Sequence, residues 1–540
     1  MTKPTNWIPS NWTGRDDARI EDAIRRGATR RDLLKMLMSS GVAAAAGGSL
    51  LLRASEAVAA TPVFGGSLRA AGWSASTADT LDPAKASLST DYARICAFYN
   101  RLTFLADGGV LKMELADDIT TDDAKVWTVK LKSGVQFHNG KTLAAEDVIY
   151  SLSRHLDEAT GSKVHSIAQQ MSSITKVDDL TVRIELAEAN ADLPTILALH
   201  HFMIIADGTT DFSTANGTGP FVCEVFEPGV KSVGTKNPNY FKDEGPYLDS
   251  FEFIAIADNT ARVNALMSGD IQLAGAVGPR ATRMLDTSDA VWASTTTVGN
   301  YTDMNIRLDM EPGSKAEFVE GMKALINREL IHKSVLRGLG DIGNDQPVSP
   351  VSKYYNAELK PRAFDPEKAK HHFEKAGILG TEIPLVASDA AGSSVDMATV
   401  MQQAGSQIGM NFTVDRVPSD GYWSNYWLKA PIHFGHINPR PTPDILFSLL
   451  YASNAPWNES HWASDKFDKM LVEARGLLDE DKRTDIYHEM QAMVANEAGT
   501  VIPAFMANVD GVSSKVGGLE ANPLGGLMGF AFAEYVWLKD

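Results

Sequence analysis

The segment from Phe251 to Ile271 constrains the fold more than any other part of the sequence, because it combines two strands and one helix in a short space. Phe251 to Ala257 is an apolar run of strand length, and Asp258-Asn259-Thr260 offers side-chain oxygens that cap the start of a helix. Gly269 ends this helix, and a second apolar strand begins at Ile271. A strand joined to the next one through a single helix returns parallel to it. The sequence therefore predicts an α/β fold with a parallel sheet.

Other segments repeat this mixture of strands and helices. Trp127 to Lys132 alternates apolar and polar residues, which predicts a half-buried strand, and Asn139-Gly140 turns the chain towards a helix that starts near Leu143. Asp365-Pro366-Glu367 places an N-cap acceptor before a proline at the first helical position, and Ala376-Gly377 ends that helix. The α/β class therefore extends along the chain.

The first 59 residues have the composition of an export signal. Arg30-Arg31 precedes a stretch without charged residues between Lys35 and Arg53, and small residues follow. The order Thr-Arg-Arg-Asp-Leu-Leu-Lys resembles a twin-arginine export signal. We predict that residues 1–59 form a signal peptide, cleaved after Ala59 or Ala60, and that the protein works in the periplasm.

The length of the chain indicates how many domains it has, and its net charge indicates which partners are unsuitable. About 480 residues remain after the predicted signal peptide, too many for one hydrophobic core, so two or three domains are expected. The chain has 50 Lys and Arg against 68 Asp and Glu, a net charge of −18, and the predicted signal peptide is itself basic. Such an acidic protein is unsuited to nucleic acid or to an anionic lipid surface. We also expect a monomer.

The residue types of common catalytic and metal sites occur in unsuitable patterns. Gly338 to Gly343 matches the dinucleotide fingerprint, but a helical pattern precedes it where a strand is required, so we interpret it as a helix end and a loop. The adjacent histidines at 200–201 and 371–372, and the pair at 433 and 436, point apart on regular elements. The sequence contains no hydrolase elbow, zinc-protease or phosphate-loop motif. We predict that the chain is not an enzyme and needs no cofactor or metal.

Cys96 and Cys223 are the two cysteines of the chain, and they could pair after export. The spacing of these two cysteines does not indicate a disulfide framework, so we expect both to be buried free thiols.

Unusual residues concentrate between Asp420 and Trp462, where four tryptophans and three tyrosines alternate with polar residues. Apolar walls with a few well-placed polar groups are typical of small-molecule pockets. The aromatic residues of Tyr422-Trp423-Ser-Asn-Tyr426-Trp427 have the spacing of one helix, so they either line a pocket or fill a core.

Arg440 is the candidate for charge recognition in this segment. Pro439 and Pro441 flank it, which excludes the middle of a helix or of a central strand. A loop arginine can bind an anion through two parallel hydrogen bonds. The alternative is a structural ion pair with Asp444 or Glu459, and the sequence leaves both possibilities open.

Three stretches resemble the family 5 extracellular solute-binding proteins, which are the peptide- and nickel-binding components of ABC importers. Trp127 to Val148, read as WTVKLKSGVQFHNGKTLAAEDV, resembles the signature of that family. Gly217 to Phe221, followed by Asn237 to Phe241, resembles the next landmark, and Phe364 to Lys370 a third. The resemblance covers the chain beyond the signal peptide, with the three stretches in the family's order.

The resemblance implies a two-lobed periplasmic binding protein of type II that closes about a hinge and has an extra subdomain in its first lobe. Lobe one would comprise residues 61–97, 215–300 and 512–540, the extra subdomain residues 98–214, and lobe two residues 301–511. The ligand would lie in the cleft between the lobes. The partner implied is the inner-membrane permease of an ABC transporter.

The expected binding residues come from both lobes. Trp73-Ser74 would come from lobe one, and Tyr301 to Asn305 would run from the hinge into the cleft wall. The residues expected to contact the ligand are Trp73, Ser74, Tyr301, Asn305, Tyr422, Trp423, Trp427, Asn438, Arg440, Asp444, Trp457, Asn458 and Glu459.

The loop from Asn438 to Asp444 departs from the pattern of the dipeptide binders. Those proteins hold the ligand's ammonium group with an acidic residue in a Gly-Asp-rich loop, whereas here Asp444 is the only acid and Arg440 adds a base. We expect a peptide or another small polar solute, with an anionic or sugar-conjugated, opine-like solute as the alternative. An exported hydrolase and a chemosensory or chaperone-like protein of the same fold are the other classes considered.

Overall fold

The structure is a computed structural model that describes residues 62–74, 76–106, 109–285, 287–520, 522 and 524–539. The predicted signal peptide and its cleavage point after Ala59 or Ala60 lie outside the described residues. Within those ranges no helix has both the length and the apolar composition that a membrane crossing requires.

The strands are numbered in chain order. They are β1 Ser67–Gly72, β2 Thr103–Leu105, β3 Leu111–Met113, β4 Ala116–Thr121, β5 Val126–Leu131, β6 Met171–Asp178, β7 Thr181–Leu186, β8 Phe221–Glu227, β9 Lys231–Lys236, β10 Ser250–Ala255, β11 Leu273–Ala274, β12 Val291–Ile306, β13 Asp341–Ile342, β14 Glu382–Ala387, β15 Asn411–Arg416, β16 Ile432–Ile437, β17 Thr500–Val501, β18 Ala504–Ser513, β19 Val516–Gly517 and β20 Trp537–Leu538.

The helices follow the same convention. They are α1 Ser89–Phe98, α2 Ala145–Arg154, α3 His165–Ala168, α4 Leu193–Ile196, α5 Asn259–Ser268, α6 Gly278–Leu285, α7 Ala316–Leu325, α8 Arg328–Leu330, α9 Pro366–Ala376, α10 Ser394–Gln407, α11 Tyr422–Asn425, α12 Pro443–Leu450, α13 Asp465–Gly476, α14 Glu480–Glu497 and α15 Phe532–Tyr535.

The strand–helix–strand unit predicted around residues 251–271 is confirmed. The Asp258 side chain accepts a hydrogen bond of 2.7 Å from the backbone N–H of Ala261 at the start of α5, and Gly269 ends the helix with φ = +83°. Strands β10 and β11 are not neighbours, because β1 lies between them and is parallel to both. The sequence pattern predicted the parallel orientation but not the inserted strand.

One sheet runs through the whole molecule. Its strands follow the order β15-β14-β16-β12-β18-β11-β1-β10-β9-β8, with β13 beside β18 and β17 beside β12. The long strand β12 pairs with β18 from Val291 to Thr297 and with β16 from Tyr301 to Ile306. The register of β12 against β18 shifts between Thr297 and Tyr301. Strands β12 and β18 therefore connect the two halves of the sheet.

Separate hydrophobic cores lie on either side of this connection. Strands β4, β5, β7 and β6 form a second, antiparallel sheet with a core of its own. Representative buried residues are Phe98, Phe221 and Phe251 in the first core, Trp127, Leu152 and Ile184 in the core of the second sheet, and Phe318, Phe434, Phe447 and Tyr487 in two cores on the far side of β12. Lobe one, extra subdomain and lobe two denote the residue ranges predicted from the sequence, and their exact boundaries stay a prediction.

Several local predictions also hold. Asp365 accepts a hydrogen bond of 2.9 Å from the N–H of Lys368 at the start of α9, and Gly377 follows the helix with φ = +68°. Gly338 to Gly343 follows a π-helical turn and ends in the short strand β13, so the glycine-rich segment is a loop, as expected. Both cysteines are free thiols, with Cys96 buried and Cys223 only half-buried.

Candidate functional site

The loop that carries Arg440 is fixed at both ends by regular structure. Strand β16 ends at Ile437, and Thr442 caps α12 by accepting a hydrogen bond of 3.3 Å from the N–H of Ile445. Pro443 occupies the first turn of that helix, where its missing N–H costs nothing. A short, proline-rich connection between a strand and a capped helix holds Arg440 in one place.

Arg440 has no acidic partner among the described residues. Its Nη1 donates to the carbonyl oxygens of Asn438 at 3.1 Å and of Pro439 at 3.0 Å, and its guanidinium carbon lies 5.8 Å from the centre of the Trp457 ring. Burial lowers the pKa of Arg440 from its ordinary value, although the group remains a cation at neutral pH. Neither Asp444 nor Glu459 is its ion-pair partner, so the structural alternative considered for Arg440 does not apply.

The charge of Arg440 influences two titratable side chains of lobe one. Burial raises the pKa of Tyr92, on α1, to about 12, and the positive charge of Arg440 opposes this rise. Burial, together with the positive charge of Arg440, lowers the pKa of His201 to about 4. The charge of Arg440, in lobe two, therefore acts on side chains of α1 and of the turn at residues 200–202.

The lobe-one wall is aromatic and uncharged around Tyr92. The Tyr92 ring stacks on His200 at 5.1 Å and lies 5.5 Å from Phe530, which in turn lies 6.0 Å from Trp73. The His200 ring is hydrogen-bonded to the carbonyl oxygen of Gly529 at 2.9 Å. Because burial lowers the pKa of His200 to about 3, this histidine is neutral at physiological pH.

Trp73, a predicted binding residue, packs near Phe530, and Ser74 follows it in the chain; their role in binding stays a prediction. Gly275 packs so closely against Trp73 that a Cβ on the glycine would lie 2.5 Å from the indole ring. The Ser74 hydroxyl lies 3.1 Å from that of Ser89 and 3.0 Å from that of Thr90. The sequence did not single out Tyr92, on α1, or Phe530, in a turn, because an isolated aromatic residue carries no sequence signal for a pocket.

The lobe-two wall is a row of tryptophans that leads to Arg440. The rings of Trp423 and Trp427 lie 5.4 Å apart, and those of Trp427 and Trp457 lie 5.8 Å apart, both edge-to-face. Trp423 is 42% exposed, and the indole N–H of Trp427 donates to Glu459 Oε1 at 2.5 Å. Asn438 is exposed beside this row.

A polar contact that the sequence did not predict joins the neighbouring strands β12 and β16. The Thr302 hydroxyl on β12 lies 3.0 Å from His436 Nδ1 on β16, and Met506 Sδ lies 3.7 Å from the same hydroxyl. Gly392 comes so close that a Cβ there would lie 2.8 Å from Thr302 Oγ1. Spacing along the chain could not reveal this contact, because three distant segments form it.

Three of the predicted binding residues lie in the protein interior and bond to protein groups. The Tyr422 hydroxyl donates to the carbonyl oxygen of Phe434 at 2.7 Å. The Asn305 side chain accepts a hydrogen bond of 2.8 Å from the Thr500 hydroxyl. The Asn458 amide donates to the carbonyl oxygen of Trp462 at 2.6 Å. These three side chains hold lobe two together.

Asp444, Tyr301 and Glu459 are also turned inwards. Asp444 forms an ion pair of 2.8 Å with Arg475, on α13, and is 3% exposed. Tyr301 is fully buried against Phe505, and Glu459 is buried behind Trp427. Of the predicted binding residues, Trp73, Ser74, Trp423, Trp427, Asn438, Arg440 and Trp457 are exposed or half-buried, whereas the other six are buried.

No group of three or more His, Cys, Asp or Glu side chains in the described part of the chain is arranged to hold a metal ion. The candidate residues described above offer the Arg440 guanidinium, aromatic faces and a few hydroxyl and amide groups.

Comparisons with known proteins agree with this architecture. The dipeptide-binding protein of Pseudomonas aeruginosa is 24% identical over 488 residues, which cover 82% of this chain and 90% of that protein. A solved structure of the periplasmic binding protein AgaA with agropinic acid, from A. tumefaciens R10, matches with a TM-score of 0.72 at 22% identity, covering 88% of this chain and 99% of that one. The ABC transporter substrate-binding protein CtaP of Listeria monocytogenes matches with a TM-score of 0.78 at 21% identity, covering 88% of this chain and all of that one.

The profile of the bacterial extracellular solute-binding proteins, family 5, middle region, matches residues 110–459. This match extends from the extra subdomain to the aromatic segment of lobe two and covers more than half of the chain. The chain belongs to the family 5 bacterial extracellular solute-binding proteins.

Proposed function

We propose that this protein is the periplasmic substrate-binding component of an ABC importer. It binds a peptide or another small polar solute in the cleft and delivers it, chemically unchanged, to an inner-membrane permease. The proposal is supported by the relatives described as a dipeptide-binding protein and as an ABC transporter substrate-binding protein. Export by the twin-arginine route, with residues 1–59 as signal peptide, is part of the proposal, because the solute must be captured outside the inner membrane.

Closure of the two lobes about strands β12 and β18 encloses the ligand. Both strands pass from one half of the sheet to the other, and the β12–β18 register shifts between Thr297 and Tyr301. A shift in strand pairing at this point provides a place where backbone angles can change with little loss of hydrogen bonds. Lobe one and its extra subdomain, with the predicted boundaries, then move together relative to lobe two. The protein acts as a monomer.

The guanidinium of Arg440 is the observation that supports a ligand with an anionic group. It is partly buried, has no acidic partner in the described structure and faces an uncharged aromatic wall. A partly desolvated cation of this kind is stabilised by a carboxylate that binds it through two hydrogen bonds. The ligand carboxylate therefore binds at Arg440.

The position of Asp444 favours an anionic, opine-like solute over an ordinary dipeptide. Asp444 is the only acid of its loop, and Arg475 already neutralises it. An ammonium group of a ligand would find no free carboxylate in that loop. The AgaA structure with agropinic acid shows that the same fold accommodates a ligand of this other class.

Calorimetric titration of the purified protein with matched pairs of solutes tests the proposal. Each pair consists of a solute with one carboxylate, either a neutral dipeptide or agropinic acid, and the corresponding amide, which lacks that carboxylate. Arg440→Ala should abolish the preference for the carboxylate form, whereas Arg183→Ala, an exposed arginine of the extra subdomain, should preserve it. Loss of one charged hydrogen-bond pair corresponds to roughly tenfold or more in affinity.

Two results would contradict the proposed function. Equal affinity of the wild-type protein for acid and amide would contradict the proposal that Arg440 binds a ligand carboxylate. A changed mass of the bound solute after incubation would show an enzyme instead of a transport receptor.

A further inference from the structure

Six polar side chains form a buried group directly behind the tryptophan row of lobe two. Each is at most 4% exposed, and we call them the acid cluster: Tyr301, Asp303, Asn305, Tyr451, Glu459 and Thr500. Two of them, Asp303 and Glu459, are carboxylic acids. Among the described residues, no lysine, arginine or histidine lies within ion-pair distance of either acid.

The two carboxyl groups converge on one point above Gly435. A Cβ on Gly435 would lie 2.1 Å from Glu459 Oε1 and 2.5 Å from Asp303 Oδ1. The two oxygens are therefore near neighbours, and only a residue without a side chain fits beneath them. Gly435 is opposite Asp303 in the β12–β16 pairing, which explains why the glycine stands there.

Two ionised carboxylates cannot share this dry position. Neither oxygen of Asp303 receives a hydrogen bond from another side chain or backbone group in the described structure. Two adjacent buried charges of the same sign without a counter-ion are strongly disfavoured, so we infer that one proton lies between the two acids. Burial raises the pKa of Asp303 to about 6, and burial together with the negative charge of Asp303 raises the pKa of Glu459 well above its ordinary value. Glu459 is thus the protonated partner at neutral pH.

A protonated Glu459 satisfies both of its neighbours at once. A proton on Glu459 directed towards Asp303 would give that carboxylate the donor it lacks, while Oε1 accepts the hydrogen bond of 2.5 Å from the indole N–H of Trp427. Trp427 packs edge-to-face on Trp457, whose ring lies under the Arg440 guanidinium. One carboxyl group therefore connects the acid cluster to the wall that supports the proposed anion site.

We propose that Glu459 is a positioning residue for the tryptophan row, and that it acts as the acid half of a proton-sharing pair with Asp303. The proposal depends on the proposed function only in its effect on ligand binding. When the pH rises far enough to remove the shared proton, repulsion between the two carboxylates displaces Glu459 and frees the Trp427 indole. Solute affinity then falls in alkaline solution.

Other titratable groups around the pair do not supply this proton. Tyr301, Tyr451 and Tyr422 face the acids, and burial raises the pKa of all three phenols above their ordinary values. His433, on the neighbouring strand β16, is bonded through Nδ1 to the carbonyl oxygen of Ala430, and burial lowers its pKa to about 4. All four remain neutral over the range in which the pair titrates.

The test combines isosteric variants with a signal that needs no ligand. Glu459→Gln places an amide N–H where the acid O–H was and keeps an oxygen for Trp427, so it mimics the protonated form. Asp303→Asn supplies a donor to Glu459 from the other side. Near-ultraviolet circular dichroism and tryptophan fluorescence of the ligand-free proteins are recorded between pH 5 and pH 10. Glu473→Gln, an exposed glutamate on α13, is the matched control.

The wild-type protein and the control should show an alkaline transition in the tryptophan signals that both isosteric variants lack. Glu459→Ala should lose the Trp427 anchor and bind the identified solute about tenfold more weakly at pH 7. Identical pH profiles for wild type, Glu459→Gln and Asp303→Asn would overturn the proposal, even if Glu459→Ala fails to fold. If no solute binds to any protein, the proposed function fails, and the ligand-free transition still decides the role of the pair.

Discussion

Asp192 of the extra subdomain forms an ion pair of 3.0 Å with Arg483, on α14 of lobe two, and both side chains are almost fully buried. Beside them, the N–H of Ala191 donates to the carbonyl oxygen of Arg475 at 2.8 Å. The core of the extra subdomain also includes Ile445 of lobe two. Segments that the proposed hinge would move apart are therefore joined by buried charges at a distance from the tryptophan row.

Removal of this contact should favour the open form of the protein. Asp192→Ala leaves Arg483 buried without its acid, and breaking one half of a buried pair costs about 3–5 kcal/mol. A ligand that binds only the closed form must then offset this cost, so its affinity falls. Small-angle scattering of the ligand-free protein should show a larger radius of gyration.

Lys130→Ala is the control, because Lys130 and Asp117 form an exposed pair at 3.8 Å in the same subdomain. Exposed pairs contribute about 0–1 kcal/mol, so neither size nor affinity should change. An Asp192→Ala protein with wild-type dimensions and affinity would show that the contact does not respond to closure.

The sequence predicted the local elements better than the arrangement of the site. Capping at Asp258 and Asp365 depends on neighbouring residues only, and both caps appear as expected. The sequence could not show that Asp444 bonds to Arg475, because the two residues meet only through packing of α12 on α13. Likewise, the sequence could not show that the charge of Arg440 influences the pKa of Tyr92, more than 300 residues away in the chain. Contacts between distant segments depend on tertiary structure, which periodicity does not encode.

Gly435→Ala should destabilise the protein through the acid cluster. The new Cβ would lie 2.1 Å from Glu459 Oε1, so the acids or strand β16 must shift. Overpacking of this kind costs about 1–3 kcal/mol. Urea denaturation measures the loss in the free energy of unfolding. Gly476→Ala meets only the Ala189 side chain, at 3.2 Å, and should lose much less. Equal losses in the two variants would contradict the packing argument.

Buried histidines should make the protein less stable in mild acid. Burial lowers the pKa of His433 to about 4, whereas an unfolded histidine titrates near its ordinary value of about 6.5. Between these values the unfolded state binds more protons, so the free energy of unfolding decreases as the pH falls from about 6.5 to about 4. One such histidine contributes a slope of about 1.4 kcal/mol per pH unit in this window.

His433→Gln should therefore reduce the pH slope of the free energy of unfolding, as measured by urea denaturation between pH 5 and pH 7. His371→Gln, at an exposed position on α9, should leave the slope unchanged. Unchanged slopes in both variants would show that His433 is not held neutral in the folded protein.

Asp510 on β18 should control the lobe-one wall through two backbone hydrogen bonds. Its carboxylate accepts from the N–H of Ala276 at 2.9 Å and from the N–H of Leu527 at 2.6 Å. Leu527 and Met528 have φ values of +52° and +57°. Residues other than glycine rarely adopt such backbone angles, which cost of order 1–3 kcal/mol each. The carboxylate helps to hold this backbone in place, and with it Phe530 at the cleft.

Asp510→Asn replaces one carboxylate oxygen by an NH₂ group, which would face a backbone N–H and could not accept its hydrogen bond. The strained turn should then relax, with a loss of about 1–3 kcal/mol in the free energy of unfolding and weaker solute binding. Asp289→Asn, at an exposed position, serves as the control. Asp510 also lies on β18, a strand shared by both lobes, so the variant could weaken binding through the turn that holds Phe530 or through the β12–β18 pairing. A crystal structure of the variant distinguishes these two explanations. A displaced Phe530 with intact β12–β18 pairing supports control of the wall, whereas a broken strand pair with an unmoved Phe530 contradicts it.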